Sequence, residues 1–163
     1  MGESKMTDVI IFLADMISQW GIFGLLPVSI IGSTIFVPFA VEFFFPALLT
    51  SGVDPYLIVI TAAIGSTLGT FVNYWLGHAG SKYIKRKVDG ERVEKATNLM
   101  NRYGWFGLLF IITIPLPIPV DGVTIIPGIA RMNFLWFSVV VFFGKLLKYA
   151  FFVGLLNGLL LLI

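Results

Sequence analysis

The stretch "IPLPIPVDGVTIIPG" (residues 114–128) makes two demands that pull against each other. Pro115, Pro117 and Pro119 remove backbone donors and hold their preceding residues extended, so no regular helix forms there. The residues between them are Ile and Leu, which do not suit a solvated loop. Extended backbone survives at membrane depth only where protein or a watery cavity covers it. An earlier stretch, "STIFVPFAVEFFFPALLTSG" (33–52), has the same character. A hairpin that dips into a membrane and returns, screened by neighbouring helices, satisfies both demands.

Composition agrees. Hydrophobic residues make up 58% of the 163 and charged residues 12%, whereas a soluble domain carries roughly 25% charged residues. Mean hydropathy is +0.95. The expectation is a single membrane domain over residues 1–163. With no cysteine, disulfides and thiolate chemistry are excluded. "VIIFLADMISQW" (9–20) is interrupted by Asp15 and has no small-residue cleavage site, so it does not read as a secretory signal. Nor does "MGESKM" suit myristoylation, because Met6 stands where Ser or Thr is wanted.

The net charge of +2 hides an asymmetry. Lys82, Lys85, Arg86, Lys87, Arg92, Lys95 and Arg102 lie in one loop, 81–102, opposed only by Asp89, Glu91 and Glu94. A nucleic-acid arm is the competing explanation, but the loop joins two membrane-length segments. The positive-inside rule makes it cytoplasmic, in a multi-pass protein of the cell (plasma) membrane.

Residues 6–19 place Val9, Phe12, Leu13 and Met16 along one helical stripe, which predicts an amphipathic helix lying at an interface. Residues 55–80 are long enough to span, since about 20 apolar residues cross a hydrocarbon core. On that helix Gly65, Gly69, Asn73 and Gly77 recur every four residues and share one face, which predicts close packing against protein. Residues 91–102 read as a short amphipathic helix. Residues 133–163 form a second transmembrane segment, either tilted or broken around Gly154 and Asn157. The apolar but Pro/Gly-interrupted stretches 20–53 and 104–130 are the two predicted re-entrant hairpins.

The hairpins repeat each other. "WGIFGLL" (20–26) returns as "YGWFGLL" (103–109), and further on Glu42 falls on Asp121 and Gly65 on Gly144. With the basic loop cytoplasmic, the first transmembrane helix runs inward and the last runs outward, so the halves are inverted. The expected fold is thus an all-α polytopic membrane protein: an inverted repeat of re-entrant hairpin plus transmembrane helix, with an amphipathic N-terminal helix. Paired, broken segments in inverted repeats point to a transporter with its site where the repeats meet.

Ionisable groups inside apolar segments are costly and therefore functional by default. Glu42 and Asp121 sit at matching positions in the hairpins, and Lys145 and Lys148 lie on one face of the last segment. Each also has a plain structural reading. Glu42 suits a structural partner for a lysine, Asp121 suits a helix N-cap at "DGVT", and the lysines suit ion pairs with acids as well as an anion site. Asn73 serves as a site residue or as an interhelical hydrogen-bonder. Arg131 joins the substrate- and proton-binding candidates, though it marks the cytoplasmic edge better than it marks a site. One histidine, no cysteine and no GxSxG or phosphate-cradling loop argue against an enzyme and call for no cofactor or metal.

"GSTLGTFVNYWLG" (65–77), "RYGWFGLL" (102–109), "PVDGVTIIPGIAR" (119–131) and "FFGKLLKY" (142–149), in this order, resemble the DedA, SNARE-associated Golgi protein or VTT-domain family, most closely its YqaA-like branch. The resemblance covers roughly residues 20–155. It implies opposed re-entrant hairpins and movement of lipids. Bacterial members are implicated in recycling undecaprenyl phosphate and in dependence on the proton gradient, and eukaryotic relatives act as phospholipid scramblases. The family's first-hairpin acid falls on Glu42, the branch's aspartate on Asp121, and its lysine and following basic residue on Lys145 and Lys148, before Tyr149. Two arginines carried by better-studied bacterial members fall on Ile114 and Val120 here. That loss leaves the phosphate headgroup without its natural clamp; Lys145 and Lys148, on the neighbouring helix, are the candidates to supply the charge, since lysine also binds phosphate as a point charge.

The functional expectation is a flippase-like, proton-coupled lipid carrier for a polyprenyl phosphate or related anionic lipid. Its partners would be membrane lipids and protons, with no nucleic acid; the Gly stripe also fits a homodimer. A proton- or cation-coupled small-solute carrier, a phospholipid scramblase and a non-transporting scaffold are the alternatives.

Overall fold

The computed structural model describes residues 2–37, 39–87, 98, 100–114 and 120–160. The "PLPIP" run and most of the expected helix 91–102 fall outside them. All regular structure among the described residues is helical. Helices α1 (Gly2–Trp20) and α2 (Ile22–Gly32) are followed by an irregular stretch, a 3-10 turn (Val41–Phe44) and short α3 (Phe45–Thr50). Helix α4 (Pro55–Lys87) comes next. A π-turn (Met100–Gly104) then leads into α5 (Trp105–Thr113), a 3-10 turn (Val120–Thr124), short α6 (Ile125–Ile129) and α7 (Phe134–Leu160).

Two of these are long and apolar enough to cross a membrane, within α4 (Pro55–Ser81) and within α7 (Phe134–Leu159). At 1.5 Å per residue each exceeds the roughly 30 Å of a hydrocarbon core. Helix α4 runs on past residue 80 into the expected loop, and α7 passes through Gly154 and Asn157 unbroken. Of the two readings of the last segment, the continuous one holds. Helices α2 and α5, with 11 and 9 residues, are too short to span.

Both short units end in the same way. After α3, Gly52 N–H bonds to Leu49 O and Val53 N–H to Leu48 O, a glycine-type helix stop. Asp54 then caps α4, its Oδ1 accepting from Tyr56 and Leu57 N–H at 2.8 and 3.3 Å. After α6, Arg131 N–H bonds to Gly128 O and Met132 N–H to Pro127 O. Asn133 Oδ1 then accepts from Leu135 and Trp136 N–H at 2.9 and 3.3 Å. Bond for bond, the second set is the first displaced by 79 residues, so the repeat is one of hydrogen bonding as well as letters. One change of residue type within it bears on the backbone. Gly52 has φ 80°, and its counterpart Arg131 has φ 53°, a left-handed conformation that costs a residue with a Cβ about 1–2 kcal/mol.

Packing repeats too. A Cβ at Gly65 would lie 2.7 Å from both Leu26 O and Ser29 Cβ, and one at Gly69 would strike Ile30 O. Glycine at both is what lets α2 lie backbone to backbone along α4, and the rising contacts show the two helices parallel. In the second unit Gly144 of α7 meets Leu109 and Ile112 of α5, the counterparts of Leu26 and Ser29. Helices α4 and α7 run antiparallel. Ser66 meets Tyr149 at one end, and at the other Phe71 lies 4.9 Å from Phe134 and Tyr74 4.8 Å from Phe137.

Helix α1 departs from expectation in the face it buries. Leu13 and Ile17 are buried and Val9 and Met16 pack beside them, while Phe12 is 59% exposed. The cause is Gly24 of α2, which has no Cβ to hold off the backbone at Met16 and Ile17. The apolar stripe of α1 is therefore covered by protein.

Candidate functional site

The small-residue face of α4 organises the site. Gly65 and Gly69 hold α2, Gly77 holds α6 at Ile125 and Ile129, and fully buried Asn73 lies between. Its Oδ1 accepts from Ile35 N–H at 2.7 Å. Its two Nδ2 hydrogens are shared among three acceptors, Ser33 O at 3.0 Å, Asp121 O at 3.1 Å and Thr124 Oγ1 at 3.0 Å. One amide thus ties the irregular chain after α2 to the 3-10 turn before α6. Orphaned backbone groups at both helix breaks find partners there, as burial requires.

Two ion pairs sit beside it. Lys145 Nζ lies 2.6 Å from Asp121 Oδ1 and donates to Ser33 Oγ at 3.1 Å. Lys148 Nζ lies 2.5 Å from Glu42 Oε1, an ion contact approached off the direction of a hydrogen bond. Exposure is 1% for Lys145, 5% for Lys148 and 2% for Glu42; the Asp121 side chain is 14% exposed. Each acid comes from a 3-10 turn that interrupts a short unit, and both lysines come from the buried face of α7 that also carries Val141 and Tyr149. Tyr149 OH and Ser66 Oγ share a hydrogen bond of 2.8 Å. The acids are therefore duplicated by the repeat, whereas the lysines are not: their counterparts on α4 are Ser66 and Gly69.

Charges this deep cost several kcal/mol each unless paired, and here the two signs balance. Protonating either carboxylate would discharge one pair and leave an ammonium group facing the break without its counter-charge. Asp121 is an ion-pair partner, and the helix-cap reading does not hold: the N-cap of α6 is Thr124, with no side-chain cap hydrogen bond.

Of the residues singled out from sequence, Glu42, Asn73, Asp121, Lys145 and Lys148 come together. Arg131 does not; it bonds Ser81. Sequence reasoning missed Ser33, Ser66 and Thr124. The signal available was weak: Ser29 and Ser33 match the four-residue spacing of Gly65 and Gly69, against which they pack.

An open, almost wholly apolar groove of about 520 Å³ lies between the start of α4 and the second half of α7, lined by Pro55, Tyr56, Val59, Leu146, Val153 and Asn157 among others. In the other half the equivalent space is filled by Phe71, Tyr74, Trp75 and Phe134, packed against one another edge-on or tilted.

Long apolar helices, two repeated short units and a buried, charge-balanced cluster at their junction define the class: a helical membrane protein with an internal duplication. The model of the VTT domain matches residues 30–157, and the chain belongs to that family, which is also the DedA family. It is 30% identical over 131 residues to the inner membrane protein YqaA of Escherichia coli K12, covering 78% of this chain and 85% of that protein. It is 29% identical over 139 residues to the uncharacterized protein MJ0201 of Methanocaldococcus jannaschii, covering 85% of each. No solved structure matches it.

Proposed function

We propose that this protein is a proton-coupled lipid carrier of the flippase type, acting on a polyprenyl phosphate or a related anionic lipid. In this reading the two short units are re-entrant hairpins opposed across the membrane, with residues 81–102 on the cytoplasmic side of the plasma membrane. The observation that supports it most is the pairing of one carboxylate from each helix break with a lysine of α7. A proton arriving at Glu42 or Asp121 discharges that pair and frees Lys148 or Lys145 for a phosphate. Loss of the proton closes the pair and expels the anion. Proton uptake and headgroup binding are then linked by charge balance alone. The apolar groove beside α7 suits the lipid's chains.

The test is reconstitution. Purified protein in vesicles containing short-chain polyprenyl phosphate, with and without a pH gradient, should move the lipid between leaflets when the gradient is applied. Glu42→Gln and Asp121→Asn should each abolish movement while the protein stays folded. Full activity in both variants would end this assignment.

A second reading, a proton- or cation-coupled carrier of a small solute, is favoured by one feature. The acids already occupy both lysines, as they would if the lysines were structural. Solute flux in the same vesicles with no lipid movement would decide for it; lipid movement that needs no gradient would instead place the protein with the scramblases.

A further inference from the structure

Arg131 stands outside the buried cluster and presents a separate problem. It follows the last turn of α6, where the earlier unit has Gly52, and takes the same left-handed conformation. Glycine meets that demand freely, and arginine does not. Complementing the negative end of α6 is a weak reason for a cation, because five residues sum to little dipole. Strained backbone of this kind persists where the side chain has a task.

The side chain is held in a definite way. Arg131 Nε donates to Ser81 Oγ at 3.1 Å, and the Ser81 hydroxyl donates in turn to His78 O at 2.7 Å. The hydroxyl's one proton is committed, so it faces Arg131 as an acceptor. The guanidinium is thereby oriented through Nε, and its Nη edge has no acidic partner among the described residues. Depth is indicated by tryptophan. Trp75, six residues before Ser81 on α4, is 56% exposed, and Trp136, five residues after Arg131, is 62% exposed. Such rings collect at headgroup level. Next along the chain from Ser81 come Lys82, Lys85, Arg86 and Lys87. A fixed guanidinium whose outer N–H edge is unpaired among the described residues, at headgroup depth and in basic sequence, fits a phosphate better than any other membrane group.

We propose that Arg131, positioned by Ser81, binds the phosphate of a membrane-lipid headgroup at the end of α4, as a site apart from the buried ion pairs. Binding there does not require that the lipid be carried, so failure of the transport reading and failure of this site are separate results.

The experiment uses the full chain in phosphatidylcholine nanodiscs, titrated with short-chain phosphatidic acid and, separately, with inorganic phosphate. Thermal stabilisation is the readout. Arg131→Gly relieves the backbone, so its melting temperature without added ligand should equal or exceed that of the parent. Its affinity for phosphatidic acid should fall about tenfold, the worth of one charge-assisted hydrogen bond. Arg131→Asn, uncharged but tolerant of the left-handed region, should lose the same affinity and serves should the glycine variant not fold. Arg131→Lys should keep part of it. Parental affinity in the glycine or asparagine variant would overturn the site and leave Arg131 a helix stop. Stabilisation by inorganic phosphate equal to that by phosphatidic acid would overturn the lipid assignment.

Discussion

At the scale of single residues, the four buried charges behave as pairs. Lys148→Met should strand the Glu42 carboxylate at 2% exposure, and stranding a buried charge costs about 3–5 kcal/mol. Glu42→Gln with Lys148→Met removes both charges together and should recover most of that loss. Melting of the purified variants in detergent measures the coupling; equal loss in single and double variants would mean that the two groups do not meet. On the proposed carrier reading, transport should not recover with stability, because the carboxylate that would take up the proton is gone. The charges themselves were legible in the sequence, since Glu42, Asp121, Lys145 and Lys148 interrupt otherwise apolar runs. Their pairing was not. Which acid meets which lysine depends on the rotation of α7 about its axis and on how far each break reaches toward it, and neither leaves a local mark. Ser33 and Ser66 were illegible for a different reason: hydroxyls are common on closely packed helices, so nothing sets these two apart until Lys145 and Tyr149 are seen beside them.

At the scale of elements, the repeat makes a contrast that can be measured. Gly24 of α2 and Gly107 of α5 are equivalent in the repeated "GIFGLL" and "GWFGLL". A Cβ at Gly24 would collide with the α1 backbone at Met16 and Ile17, whereas one at Gly107 meets nothing within 4 Å. Gly24→Ala should therefore lose about 1–3 kcal/mol, the usual range for overpacking. Gly107→Ala should be neutral, or slightly stabilising through helix propensity. Equal melting temperatures for the two would show that α1 does not dock on α2. The Gly65–Gly77 face of α4 was readable because small residues at a four-residue spacing have one common use, close helix contact. The face of α1 was read one residue out, with Phe12 in place of Ile17, because its apolar arc is wide enough to hold both and only the notch at Gly24 selects the part that is buried. Residue 131 broke the repeat invisibly: an arginine in a run of letters does not announce a left-handed backbone.

At the scale of the whole molecule, the two units share hydrogen bonds, stops and caps, yet their long helices run antiparallel, and that combination is what an inverted duplication requires. Within the first unit α2 and α4 are parallel, so residues 33–54 must carry the chain back to where α2 began. If that return happens inside the membrane, Ser18 at the end of α1 and Ser51 after α3 lie on the same side, although α2 separates them in sequence. Asn98 and Asn133, flanking the second unit, should then share the opposite side. All four are exposed, and the chain has no native cysteine, so single-cysteine variants report without background. In sealed, oriented vesicles a membrane-impermeant maleimide added outside should label one pair, and the other pair should react only after permeabilisation. Labelling of Ser18→Cys and Ser51→Cys from opposite sides would make α2 part of a spanning segment. The acids would then not sit at the tips of two opposed hairpins, and the proposed proton-coupled exchange would lack the symmetric access from both sides that it requires.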